Sequence, residues 1–239
     1  MKNKRSFRWT TIFFLLTVLV AFLSWVGSIY GWEGVQNLLS PEGFRWKLRH
    51  LEDDYLHAPF LGSILVVSFG VGLCLHSGLW SLCFRLWKRT GHLTRKERRA
   101  LTLTAIVAAL YALACAFLAW GPWNGVRSIM GTLTDSPLQD GAFFLLSFGA
   151  GLFAVVYAYA ADSYNSDMDI VEGMAYGCVC LAPYLVTLFF VVQFFTAFQY
   201  AGLAHCCGLS DAVYERLYSL CCLSLLWPLL SDLSQNGGK

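Results

Sequence analysis

Two stretches decide the fold: LVVSFGVGLC at Leu65–Cys74 and FLLSFGAGLF at Phe144–Phe153. Both write Ser-Phe-Gly-x-Gly-Leu. A soluble nucleotide-binding protein uses Gly-x-Gly to cradle phosphate, whereas a membrane protein uses small residues to let helices approach. Neither copy is followed by Lys-Ser/Thr, and both lie inside long uncharged runs. In hydrocarbon such a backbone stays helical, because each unsatisfied amide costs several kcal/mol. Ser68, Gly70 and Gly72 in the first copy, and Ser147, Gly149 and Gly151 in the second, are therefore read as helix-packing positions.

Composition agrees. Of 239 residues, 57% are hydrophobic and 13% charged, against roughly 25% charged in soluble domains. The formal net charge of +2 leaves no electrostatic footprint for a nucleic-acid partner. The partner implied is the lipid bilayer. A bilayer crossing needs about 20 mostly apolar residues. Five runs qualify: Trp9 to Tyr30, Ala58 to Phe84, Ala100 to Trp120, Gly141 to Ala161, and Gly173 to Leu203. A sixth, Leu217 to Leu230, is short and contains Pro228. The expected fold is all-α integral membrane, with five to six transmembrane helices. Spans two and three pair with spans four and five as a weak internal repeat. The expected organisation is one transmembrane domain over residues 1–232 and a flexible tail over 233–239.

The first run follows Lys2, Lys4, Arg5 and Arg8 and offers no A-x-A-like cleavage site, so it reads as an uncleaved signal anchor. The connection over 85–99 holds seven Lys or Arg residues, which with the basic start places the N-terminus in the cytoplasm. The connection over 31–57 would lie outside. It contains an amphipathic helix capped by Ser40, opened by Pro41, with Phe44, Leu48, Leu51 and Tyr55 at helical spacing. Thr94 with Glu97, and Ser166 with Asp169, have the spacing of helix-starting caps. Pro183 should bend or break the fifth run.

Polar groups at membrane depth are costly and mark function by default. The set is small: His76 and Ser77 in the second span and Gln193 in the fifth. With Pro183 they are the candidate transport-path residues. No catalytic residue is identified, since the sequence has no Gly-x-Ser-x-Gly and no His-Glu-x-x-His, and an enzyme is not expected. No metal ligands or cofactors are assigned either. Cys206-Cys207 and Cys221-Cys222, with His205, read as apolar filling and helix packing ahead of a soft-metal or disulfide site.

Four segments occur in an order that resembles one family: APFLGSILVVSFGVGLCLHSGLWS from Ala58, MGTLTDSPLQDG from Met130, NSDMDIVEGM from Asn165, and LAPYLVTLFFVVQFFTAF from Leu181. Together they resemble the AbgT family, the p-aminobenzoyl-glutamate transporters. The resemblance covers most of Ala58 to Leu203. It implies a dimeric or otherwise oligomeric carrier of the bacterial inner (plasma) membrane, coupled to a sodium ion or a proton. The implied solute is a small anionic aromatic one, p-aminobenzoyl-glutamate taken up or a sulfonamide-like antimetabolite exported. The chain departs from the family pattern as well. Trp80 to Arg89 leads almost directly to Leu93, where the family has a re-entrant hairpin, and only Leu217 to Leu230 stands where a second would come. The family's Glu-Lys before Ser-Gly-Leu is replaced by Leu75-His76. The alternative is a non-transporting membrane scaffold or accessory subunit derived from that family, meeting partners through its glycine faces.

Overall fold

The computed structural model describes residues 4–87, 94–120 and 136–227. In chain order the helices are α1 (Lys4–Ile29), α2 (Pro41–Leu56), α3 (Leu61–His76), α4 (Leu79–Trp87), α5 (Arg95–Trp120), α6 (Pro137–Asp140), α7 (Ala142–Ala160), α8 (Asp167–Tyr200), α9 (Leu203–Cys206) and α10 (Asp211–Ser224). No strand occurs among the described residues. Four of these helices, α1, α5, α7 and α8, are long and apolar enough to cross a membrane, and α3 makes a fifth when taken with α2 across a 41° bend. Seven of the sixteen residues of α2 are charged, which places α2 outside the spanning segments, and α3 alone, at sixteen residues, is shorter than the roughly 20 a crossing needs.

Helix starts obey local chemistry. Ser40 Oγ accepts from Gly43 N at 3.1 Å, and Pro41 sits in the first turn of α2. At α5, Thr94 N donates to Glu97 Oε2 at 2.9 Å while Glu97 N donates to Thr94 Oγ1 at 3.3 Å, a reciprocal capping box. Glu97 also receives Arg85 from the end of α4 at 2.7 Å. At α8, the Asp169 carboxylate accepts from Asn165 N and Ser166 N at 2.7 and 2.9 Å.

Three expected runs differ from the observed helices. The second span breaks at Ser77-Gly78 into α3 and α4. Gly78 adopts φ +79°, and Ser77 Oγ accepts from Leu79 N at 3.3 Å, so the hydroxyl serves the backbone where the helical ladder stops. Conversely, Pro183 does not break α8, which runs for 34 residues through it. Beyond it Tyr184, Leu188, Val191 and Val192 are buried, and Thr187 Oγ1 donates to Pro183 O at 2.9 Å. The fifth run ends at Tyr200 instead of Leu203 because Gly202 turns the chain with φ +71°. The last helix, α10, has 14 residues and is too short to span; Pro228 to Leu230, the end of the expected sixth run, lie outside the described residues.

The chain packs as two compact units. Among the described residues, one comprises the chain up to Leu61 and from Ala182 onward, and the other comprises Gly62–Leu181. In the first, a core of Val20, Leu38, Ala197, Ala201 and Leu203 joins α1, α8 and the segment before α2. Ser24 Oγ, fully buried, accepts from Leu38 N at 3.1 Å and so offsets the polar cost of that fold-back.

In the second unit the two Ser-Phe-Gly-x-Gly-Leu copies meet each other. Gly70 N donates to Ser147 Oγ at 3.2 Å, and Ser147 Oγ donates to Val66 O. A Cβ on Gly70 would collide with the Ser147 carbonyl, and one on Gly151 would reach Leu73 at 3.2 Å. Around the other side of α3, a Cβ on Gly72 would lie 2.5 Å from Gly177 N, and one on Gly177 would collide with the Ser68 carbonyl. Gly149 faces α5, where a Cβ would lie 2.7 Å from Tyr111 Cε1, and Tyr111 Oη donates to Leu145 O at 2.8 Å. These small residues thus pack helices against one another within the chain.

Candidate functional site

In α2 the spacing 43, 47, 50, 54 sets one face of the helix. Gly43 is buried, and any Cβ there would lie 2.6 Å from the carbonyls of Asn37 and Leu38, so the small residue lets the segment before α2 fold closely over its first turn. Lys47 and Asp54 lie two turns apart on this face, with Leu51 and Tyr55 beside them. Phe44 and Leu48, expected on the same apolar side as Leu51 and Tyr55, are each 63% exposed. The sequence stripe is split: Leu51 and Tyr55 contact α8, while Phe44 and Leu48 turn outward, where the membrane surface can receive them.

Facing α2 is the last third of α8, which places Gln193 and Thr196 one turn apart. Lys47 Nζ donates to Thr196 Oγ1 at 2.7 Å and to the Gln193 carbonyl at 3.5 Å, and Asp54 Oδ2 lies 3.9 Å away. Gln193 Nε2 donates to Leu51 O at 3.4 Å, and Tyr55 Oη donates to Leu185 O at 3.2 Å. The Trp46 ring stacks on Tyr200 with centroids 4.1 Å apart, and Lys47 Nζ lies 5.8 Å from the Trp46 ring centre. On the α10 side, Tyr214 Oη donates to Phe195 O, and Tyr218 lies against the Phe195 ring at 5.0 Å.

Gln193 is 6% exposed, and its Oε1 and Asp54 Oδ2 are both buried with no hydrogen-bond partner within the chain. Because Nε2 is committed to a carbonyl, turning the amide over would set oxygen against oxygen, so the free atom is the acceptor. The site therefore has one ammonium donor, held by neutral oxygens, and two buried acceptors that ask for a donor or a proton. Burial pulls the Lys47 amine down to about 8 from its ordinary value of 10.5, and the nearby Asp54 carboxylate only partly opposes this.

The other expected path residues belong to the second unit or serve the helices. His76 ends α3, with Nδ1 3.0 Å from Tyr164 Oη and its ring tilted against Tyr164 and Tyr176. Ser77 is buried, and its hydroxyl is committed to Cys74 O and Leu79 N. Pro183 lies within α8, ten residues before Gln193. The second unit also holds an apolar cavity of about 300 Å³, lined by Phe69, Gly70, Leu73, Phe148, Leu152 and Met174 among others. It has few polar groups with which to orient a solute. Among the described residues no group of three His, Cys, Asp or Glu side chains is placed to hold a metal ion, and the nine cysteines are free thiols.

Sequence reasoning reached Gln193 as a lone polar residue in an apolar run but missed Lys47, Asp54 and Thr196. The available signal was the i, i+7 spacing of Lys47 and Asp54 in register with the small Gly43.

The sequence profile of the AbgT putative transporter family matches residues 85–230. Gln193 and Thr196 fall inside that stretch, and Lys47 and Asp54 precede it. Among solved structures, the chain is similar to the Alcanivorax borkumensis YdaH transporter, whose crystal structure reveals an unusual topology. The TM-score is 0.73 at 14% sequence identity, over 83% of this chain and 72% of that one. No curated protein matches the sequence.

Proposed function

The chain belongs to the AbgT putative transporter family, and from that membership we propose that it carries a small anionic aromatic solute across the bacterial inner membrane. The solute class is that of p-aminobenzoyl-glutamate or sulfonamide-like antimetabolites, and movement is coupled to a sodium ion or a proton. The protein works as a multi-pass carrier with its N-terminus in the cytoplasm, as a homodimer or other oligomer, and performs no enzymatic step. The observation that carries this reading is the polar cluster of Lys47, Asp54, Gln193 and Thr196, with two buried acceptors that receive no hydrogen bond from the chain. Buried acceptors kept without a hydrogen bond at such cost mark a transport path more readily than a structural contact. His76 and Ser77, within the second unit, and Pro183 are proposed separately as residues that meet the solute.

Cells carrying the intact gene are expected to accumulate less labelled sulfonamide than cells without it; equal accumulation would count against export of that class. Gln193→Leu supplies a sharper contrast. It removes a buried unpaired acceptor and one long hydrogen bond, so stability should stay within about 1 kcal/mol of the parent, while flux falls at least about tenfold.

A second reading, the non-transporting scaffold or accessory subunit, draws support from the second unit, where the hydroxyl of Ser77 and Nδ1 of His76 already have partners. Under it, Gln193→Leu and His76→Ala leave the drug phenotype unchanged.

A further inference from the structure

We propose that Lys47 links proton binding to the seating of α2 on α8, so that α2 takes its place against the Gln193–Thr196 turn as Lys47 gives up a proton to solvent. The inference rests on the transporter reading only for its consequence in the cycle; the linkage itself is a property of the fold.

The geometry is that of a polar clasp. With seven charges in sixteen residues and Phe44 and Leu48 turned outward, α2 is held by few apolar contacts. It is held to α8 by the Lys47–Thr196 bond, the Gln193–Leu51 bond, the Tyr55–Leu185 bond and the Trp46–Tyr200 stack. Seating carries the Lys47 ammonium out of water into a bay where its direct partners are neutral oxygens. Asp54, the nearest anion, stays at 3.9 Å, beyond hydrogen-bond distance.

The amine sets the direction of the linkage. Seated, it titrates at about 8; released to water, it returns to its ordinary 10.5. The released form therefore binds the proton more tightly. Between those two values seating expels a proton and is favoured as pH rises, and below about 8 both forms keep the proton and the dependence flattens. The ionisable groups nearest the amine on α2 are Asp54, at 3.9 Å, and His50, whose Nδ1 lies 2.9 Å from the Trp46 carbonyl. On α8, Gln193 and Thr196 are uncharged. On α10, Tyr214 and Tyr218 are pushed up by burial and feel Asp54, so they stay neutral across the window.

The test uses the full chain in lipid nanodiscs. Competitive amine labelling read by mass spectrometry should give Lys47 a midpoint near 8, with Asp54→Asn moving it lower still. Hydrogen–deuterium exchange of the α2 peptide, corrected for the intrinsic rate at each pH, should show protection rising on the order of a hundredfold from about pH 7.5 to about pH 10.5. In Lys47→Met, which keeps the apolar stem without a charge, and in Lys47→Arg, which stays charged throughout, the profile should be flat whatever its baseline. A labelling midpoint at an ordinary lysine value, or a pH step that persists in both variants, overturns the proposal. Neither readout depends on flux, so a failed transport assay would sink the functional reading and leave this one standing, and the reverse.

Discussion

Gly177→Ala is expected to destabilise the protein by at least about 3 kcal/mol, the upper range for forcing extra volume into a packed site. The added Cβ would collide with the Ser68 carbonyl and come within 3.1 Å of Gly72 Cα. Both obstacles are backbone, and no rotamer change relieves them. The loss should appear as a large fall in the detergent melting temperature. Gly62→Ala is the matched control, since nothing lies within 4 Å of its Cβ position; it should hold or slightly raise stability, alanine being the better helix former by about 1 kcal/mol. A Gly177→Ala protein that melts with the parent would refute the seam of α3 and α8.

Gly202→Ala should be as damaging in the other unit, for two reasons that add. The residue has φ +71°, which costs an alanine about 1–2 kcal/mol. Its Cβ would also collide with the Gly34 carbonyl, where the chain after α8 crosses the segment before α2. Overpacking there adds about 1–3 kcal/mol. Gly208 separates the two effects, because it has φ +69° and nothing within 4 Å. Gly208→Ala should show the conformational cost alone, so the excess loss in Gly202→Ala measures the contact. Equal losses in the two variants would mean that the crossing at Gly34 is not tight.

How far the sequence could be read depended on the range of the interaction involved. Caps at Ser40, Thr94 and Ser166 were legible because a side chain reaching a backbone amide three residues away is decided locally. The all-α membrane class was legible from run length, and the family from four motifs in order. The break at Ser77-Gly78 was not, since a glycine in an apolar run can either pack or turn, and the same run contains both: Gly70 and Gly72 pack, Gly78 turns. At Pro183, expected to bend or break the run, the helix continues without interruption, so one missing hydrogen bond does not end it.

The candidate site shows the same division. Gln193 stood out because a polar residue in an apolar run is conspicuous, whereas Lys47 and Asp54 sat among seven charges and read as a solvated connection. Their burial comes with contacts to α8 such as Trp46 on Tyr200, 154 residues apart in sequence (46 to 200). Local pattern carries no trace of such a partner.

Whether this chain moves solute is tested most directly with purified protein in proteoliposomes, given labelled p-aminobenzoyl-glutamate or sulfonamide under a proton or a sodium gradient. A transporter should give flux above that of protein-free vesicles, lost when the gradient is collapsed and cut at least about tenfold by Gln193→Leu. Flux equal to that of protein-free vesicles under both gradients would contradict it.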